Sequence, residues 1–274
     1  EVIVSAPYFM EYGFYTDNHQ GKLVVVKTKA DFQLDPLAIQ AAINSKTKAI
    51  LINSPNNPTG VIYLEPVLTE LAAVIRKKET ELGKTIYLIS DEPYAGLVYD
   101  GIKVPAILQI FEHGIVATSH SKDLAIPGER IGYVAFNPQI PEAELMFSAL
   151  VFANRILGFV NAPALMQRLV AGLQGQVAGL ELYRERRDIL YNHLSSIGFD
   201  VIKPQGAFYL FPKSPIPDDG AFSQAAQKHN ILIVPGSGFC MPGYFRIAYC
   251  VSKEIIQNSL PAFTALAKEF QLTK

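Results

Sequence analysis

The chain has 274 residues, 49% hydrophobic and 18% charged, enough for one large domain or two smaller ones with a sizeable core. Its 24 basic and 25 acidic residues leave a formal net charge of −1, which excludes the electrostatic footprint of a nucleic-acid or membrane-surface protein. Apolar runs are strand-sized, and two cysteines, Cys240 and Cys250, are too few for a disulfide framework or a multi-cysteine metal site. The histidines show no metal-ligand spacing, so no metal is expected. With no signal-peptide pattern, the cytoplasm is the expected location. The chain opens Glu1-Val2-Ile3-Val4, already strand-like and without an initiator Met, which predicts that an N-terminal region is missing.

Runs at 24–26, 49–52, 86–89 and 115–117 are apolar throughout, the pattern of buried parallel strands. Between the second and third, Leu64, Val67, Leu68, Leu71, Val74 and Ile75 recur at helical spacing, and Pro66 suits a first turn. This predicts a helix over 64–82, and strand–helix–strand is the α/β signature. From 119 to 129 the linker holds about ten residues, short of the roughly dozen that a parallel crossover needs, so the strand at 130–136 is expected to be antiparallel. A nearly continuous helical pattern covers 162–197, with Gly172, Gly175 and Gly179 marking a bend and a domain junction. Strands at 208–211, 231–234 and 245–249 and a closing helix over 253–270 come next. The expected fold is α/β. A mixed, mostly parallel sheet with flanking helices covers 1–175, and a smaller α/β C-terminal domain covers 176–274.

Ligands bind beyond the carboxyl ends of parallel strands. The run at 49–52 is followed by Asn53-Ser54-Pro55-Asn56-Asn57-Pro58-Thr59-Gly60, that at 86–89 by Ser90-Asp91-Glu92-Pro93-Tyr94, and that at 115–117 by Thr118-Ser119-His120-Ser121-Lys122. Three polar loops on one edge point to a common site. Asp91 directly follows a buried strand and needs a cationic or hydrogen-bonding partner. Lys122 is an amine suited to Schiff-base chemistry. Ser119, Ser121 and Arg130 could hold a phosphate. Tyr94 and Asn57 could bond a phenolic oxygen. Together these groups fit pyridoxal phosphate (PLP), which has an aldehyde, a pyridine nitrogen and a phosphate.

The motifs Asn56-Asn57-Pro58-Thr59-Gly60, Asp91-Glu92-Pro93-Tyr94, Ser119-His120-Ser121-Lys122, Pro127-Gly128-Glu129-Arg130-Ile131-Gly132-Tyr133 and Phe245-Arg246-Ile247-Ala248 resemble, in order and spacing, those of class I/II aminotransferases of PLP fold type I. The resemblance spans essentially the whole chain. It implies Lys122 as Schiff-base lysine and proton shuttle, Asp91 as partner of the pyridine nitrogen, and Tyr94 and Asn57 as ligands of the phenolic oxygen. It further implies Ser119, Arg130 and Ser121 at the phosphate, Phe9 stacked on the ring, and Arg246 on the substrate carboxylate. Asn57 also borders the substrate.

Taken singly, these residues have plainer readings: turn former for Asn57-Pro58, surface lysine for Lys122, edge charge for Arg130, core for Phe9 and ion-pair member for Arg246. The implied activity is amino-group transfer from an L-amino acid to a 2-oxo acid in a homodimer, without nucleic-acid or membrane partners. A PLP-dependent carbon–sulfur β-lyase shares every one of these residues, and a non-catalytic aminotransferase-like binding domain is the other alternative. In this family the region before the first strand supplies a gating segment, a phosphate-binding glycine loop and an aromatic given across the dimer. The 274 residues alone are therefore expected to bind PLP weakly.

Overall fold

The computed structural model describes residues 1–272. Six strands form one sheet: β1 (Val2–Ala6), β2 (Leu23–Lys27), β3 (Ala49–Asn53), β4 (Tyr87–Asp91), β5 (Gly114–Ser119) and β6 (Gly132–Phe136). Their order is β2-β1-β3-β4-β5-β6. The first five run parallel, and β6 is antiparallel to β5, with Ile115 opposite Phe136 and Ser119 opposite Gly132. The short linker before β6 leaves no other option, as its length implies.

The helices are α1 (Glu11–Asp17), α2 (Pro36–Ala42), α3 (Glu65–Leu82), α4 (Ile107–Ile110), α5 (His120–Asp123), α6 (Ala143–Ile156), α7 (Ala164–Ala171), α8 (Leu180–Ser196), α9 (Asp219–Lys228) and α10 (Lys253–Glu269). Local chemistry explains the start of α2, where the Asp35 carboxylate accepts from the backbone of Leu37 and Ala38 and Pro36 occupies the first turn. Helix α3 buries Leu68, Leu71, Ala72 and Ile75, the stripe its spacing predicts, and ends at Gly83 in the left-handed region. That stripe packs with Ile3, Ile50, Ile52 and Leu88 into a first core.

Strands β7 (Tyr209–Leu210), β8 (Val234–Pro235) and β9 (Phe245–Ala248) form a second, antiparallel sheet in the order β7-β9-β8. Its core joins Leu190 and Leu194 of α8, Phe222 of α9, Phe245 and Leu266, and it takes in Tyr94 and Leu97 from the segment after β4. Several features differ from the sequence pattern, among them the strand expected at 208–211, which contracts to Tyr209–Leu210. The helical run at 162–197 is two helices, α7 and α8, because Gly175 and Gly179 adopt φ of +78° and +70°. The strand expected at 231–234 contracts to Val234–Pro235: Ile231 is drawn into the second core while Leu232 turns outward. Helix α6, which the sequence pattern did not reveal, has no buried residue. It exposes Phe147, Phe152 and Ile156, and with β6 it lines a cavity of about 790 Å³.

The two sheets are stitched together beside the ends of β3 and β4. Gln205 and Gly206 donate backbone N–H groups to Gly60 O at 2.9 Å each, and Gln205 Oε1 accepts from Ile62 N at 3.0 Å. Arg187, fully buried on α8, forks onto Asp100 at 2.8 and 2.9 Å and reaches Pro204 O at 3.0 Å. Gly60 has φ +70°, and a Cβ there would stand 2.6 Å from Pro204 Cβ and 2.9 Å from Gly206 O. Gly60→Ala is therefore expected to lose about 3 kcal/mol of stability through backbone strain and overpacking, read as a lowered denaturant midpoint.

Candidate active site

The parallel register sets Asn53 opposite Asp91 and Asp91 opposite Ala117, so β3, β4 and β5 end in line. Asn53 joins two of those ends: its Nδ2 donates to Asp91 O at 2.8 Å, and its Oδ1 accepts from Asn57 N at 2.7 Å. Thr118 Oγ1 donates to Glu92 O at 2.9 Å and ties β5 to the β4 loop. Tyr12, on α1, donates its hydroxyl to Asp91 Oδ2 at 2.6 Å. Phe9 meets Tyr12 edge-on, with ring centroids 5.6 Å apart. Burial pushes the Asp91 carboxyl up from its ordinary value, and the Tyr12 hydrogen bond pulls against it. Burial and the neighbouring carboxylate push the Tyr12 phenol far up, so Tyr12 stays a donor.

A second group centres on Arg246 of β9. Its Nη1 donates to Asn57 Oδ1 at 2.8 Å. Its guanidinium lies 4.5 Å from the Tyr209 ring centroid and 4.8 Å from that of Phe239. Phe239 ends a turn of 3₁₀ helix, Gly236–Phe239, which Asp219 Oδ2 anchors by accepting from Ser237 N at 2.6 Å. Arg246 Nε is buried and has no partner among the described residues. Such an orphaned charged donor is expensive unless something arrives to accept from it. The hydroxyls of Tyr94 and Tyr209 stand 2.9 Å apart. Lys122 Nζ lies 5.5 Å over the Phe208 ring, which meets Tyr94 edge-on at 5.4 Å.

The expected residues therefore gather in two linked groups, Phe9–Tyr12–Asp91–Asn53–Asn57–Arg246 and Lys122–Phe208–Tyr94–Tyr209–Arg246. The expected phosphate ligands are less gathered. Ser119 stands at the start of α5 without bonding its backbone, and Ser121 is half-buried. Arg130 is exposed, in the left-handed region, with Nη1 donating to Pro127 O at 2.7 Å. Gly132 brings that segment against β5, where a Cβ would collide with Thr118 O and Ser119. Among the described residues no group of three or more His, Cys, Asp or Glu is arranged to hold a metal ion.

Five contributors, Tyr12, Asn53, Phe208, Tyr209 and Phe239, escape sequence reasoning. Tyr12 lies three residues after Phe9 on a short helix, and its partner is 79 residues away. Tyr209 and Phe239 sit in runs that read as strand and glycine-rich loop.

Residues 1–263 match the family model described as aminotransferase class I and II. The chain belongs to that family. The aminotransferase is 34% identical over 269 residues to a protein described as a probable aspartate/prephenate aminotransferase of Thermus aquaticus, covering 96% of this chain and 68% of the relative. It is 33% identical to an aspartate aminotransferase of Bacillus subtilis, with 95% and 68% covered. A crystal structure of an amino transferase from Eubacterium rectale is 41% identical with a TM-score of 0.95, covering 98% of this chain and 68% of that one. The aspartate aminotransferase of Thermotoga maritima gives a TM-score of 0.86 at 28% identity, with 97% and 69% covered.

The chain is thus a PLP-dependent transaminase of the α/β fold its sequence implies, and neither the β-lyase nor the binding-domain alternative is favoured. The donor set fits PLP and a carboxylate substrate. A primary amine is available at Lys122, Asp91 is a half-buried carboxyl held by one side-chain donor among the described residues, and Arg246 keeps Nε free of any partner among them.

Tyr12→Phe removes the hydrogen bond that offsets burial at Asp91, so the Asp91 carboxyl is pushed up further. In cofactor-free protein at neutral pH this costs about 1–2 kcal/mol, the penalty of an under-bonded buried carboxylate. By linkage, the loss is full while Asp91 is ionised and shrinks as pH falls through its raised folded value, since the protonated acid no longer needs the donor. Denaturant titrations of both proteins across that acid range check it.

Proposed function

We propose that the groups gathered beyond β3, β4 and β5, with Arg246 from the second sheet, are the transamination site. The observation that carries this reading is the Arg246 Nη1 to Asn57 Oδ1 bond, which spans 189 residues and leaves a buried Nε facing no partner. Arg246 only donates, so Asn57 Oδ1 must face it and Asn57 Nδ2 is left to donate elsewhere.

When bound, PLP supplies an aldehyde and an electron-withdrawing pyridine ring. Lys122 Nζ would hold that aldehyde and, once freed, would be the base that moves the proton of the substrate α-carbon. Asp91 would hold a proton on the pyridine nitrogen, with the Tyr12 hydroxyl orienting its carboxylate. Tyr94 and Asn57 Nδ2 donate to the phenolic oxygen. Phe9 covers the ring, and Ser119, Ser121 and Arg130 bind phosphate oxygens. Reaching the phosphate requires Arg130 to exchange its Pro127 contact for a stronger, charge-assisted one. Arg246 grips the substrate carboxylate through its free edge.

We divide the chain into a cofactor-binding unit, 1–175, and a smaller unit, 176–274. The left-handed Gly175 and a second core drawn from residue 190 onward, apart from Tyr94 and Leu97, support that division. We assign the enzyme to the cytoplasm on its two free, exposed thiols, Cys240 and Cys250. We take it to be a homodimer, a reading supported by the exposed apolar side chains of Phe147, Phe152, Ile156 and Leu165. Sedimentation of the holoenzyme as a monomer at micromolar concentration would rule that assembly out.

Lys122→Ala should lower amino-group transfer by roughly four orders of magnitude and remove the visible absorbance of lysine-bound cofactor, because anchor and base are one group. Amino-donor turnover near the wild-type rate would refute the site.

A further inference from the structure

Tyr209 stands where the two sheets meet. Strand β7 pairs antiparallel with β9, so Tyr209 lies opposite Ala248 and Leu210 opposite Ile247. Opposed residues share a face, and Arg246 lies two positions along β9 on that same face, within diagonal reach. This register lays the Arg246 guanidinium 4.5 Å over the Tyr209 ring. The Tyr209 hydroxyl meanwhile meets that of Tyr94 at 2.9 Å. One side chain thus touches both the carboxylate arginine and the hydroxyl at the phenolic oxygen.

We propose that Tyr209 is a positioning residue for amino-group transfer, coupling the arginine that grips the substrate carboxylate to the tyrosine that faces the cofactor's phenolic oxygen. The proposal rests on the roles given above to Arg246 and Tyr94. A phenol has one proton to give and two acceptor positions. Tyr94 can donate to the cofactor oxygen only if the proton between the two tyrosines comes from Tyr209. Tyr209 Oη has no other partner among the described residues, so its proton is free to serve Tyr94.

A hydroxyl that accepts becomes a stronger donor in turn. Burial pushes the Tyr209 phenol up, and the hydrogen bond with Tyr94 and then the guanidinium on its face pull against that, the guanidinium favouring donation. A carboxylate bound to Arg246 cancels that charge and weakens the donor, which carries substrate occupancy to the cofactor's ring. The pair also feels Asp91 and Arg246 at Tyr94 and Cys250 at Tyr209, while Lys122 stands over Phe208, which touches both rings.

The test uses the holoenzyme, with maleate as carboxylate probe and Tyr209→Phe, Tyr209→Leu, Tyr94→Phe and Arg246→Lys as variants. It reads the pH midpoint of the visible absorbance of lysine-bound cofactor and the maleate dissociation constant. A donor at the phenolic oxygen loosens that oxygen's hold on a proton at the Lys122 nitrogen. Tyr209→Phe should therefore raise the midpoint, in the same direction as Tyr94→Phe and by less. Maleate affinity should stay within about threefold in Tyr209→Phe, which keeps the ring under Arg246, and fall about tenfold in Tyr209→Leu, which removes it.

Tyr209→Phe deletes one oxygen from a packed ring and so tests the hydroxyl in a folded protein. If its midpoint stays at the wild-type value, or Tyr209→Leu binds maleate as wild type does, the coupling is overturned. If Arg246→Lys leaves maleate affinity unchanged and Tyr94→Phe leaves the midpoint unchanged, the site reading itself fails, and the coupling with it.

Discussion

The Arg246 guanidinium lies between the rings of Tyr209 and Phe239 and gives one hydrogen bond to Asn57. A cation so placed is tolerable only if its surroundings are rigid, because a small displacement would cost the Asn57 bond while the charge stayed desolvated. Much of the surrounding structure supplies that rigidity. Asn57 is fixed because its own N–H is held by Asn53 and because Gly60, three residues on, is bonded to the 205–206 segment. Phe239 is fixed by the anchored 3₁₀ turn, and Tyr209 by its pairing with β9.

The same logic explains the seam between the sheets. Tyr94 and Leu97 come after a strand of the large sheet yet are buried in the second core, so the loop carrying Asp91 and Tyr94 is clamped at both ends. Arg187 and Asp100 add a second tie a short way along the chain, with the guanidinium buried and the carboxylate at the surface. Breaking that pair from the carboxylate side leaves Arg187 with Asp188 alone among acids, and from the arginine side leaves Asp100 free in water with Lys203 nearby. The seam therefore depends more on Arg187 than on Asp100.

At Asp91 the balance is different. Among the described residues no full positive charge is bonded to its carboxylate, only the neutral phenol of Tyr12, so burial prevails and the carboxyl is pushed up from its ordinary value. A cation placed beside that carboxylate would pull it back down. Lys122 sits over an aromatic face, with no carboxylate partner among the described residues.

Much of this was legible in one dimension. Buried parallel strands read as continuous apolar runs, which is why β3 to β5 stand where the pattern put them; the run at 24–26 is instead the edge strand β2, which leaves Val25 exposed, and the polar loops just past the runs of β3 to β5 carry Asn57, Asp91 and Lys122. The antiparallel β6 could be read from linker length alone, and the ordered motifs carried the family. Periodicity, however, is a local quantity. It could not say that 162–197 is two helices, since the glycines that break the run are tolerated in either state. Nor could it show that α6 would bury none of its apolar side chains. The bonds from Tyr12 to Asp91 and from Tyr94 to Tyr209 bridge 79 and 115 residues. Which face of β7 meets Arg246 depends on strand register, and register is decided only when the whole core packs and one alignment buries the apolar face of every strand at once.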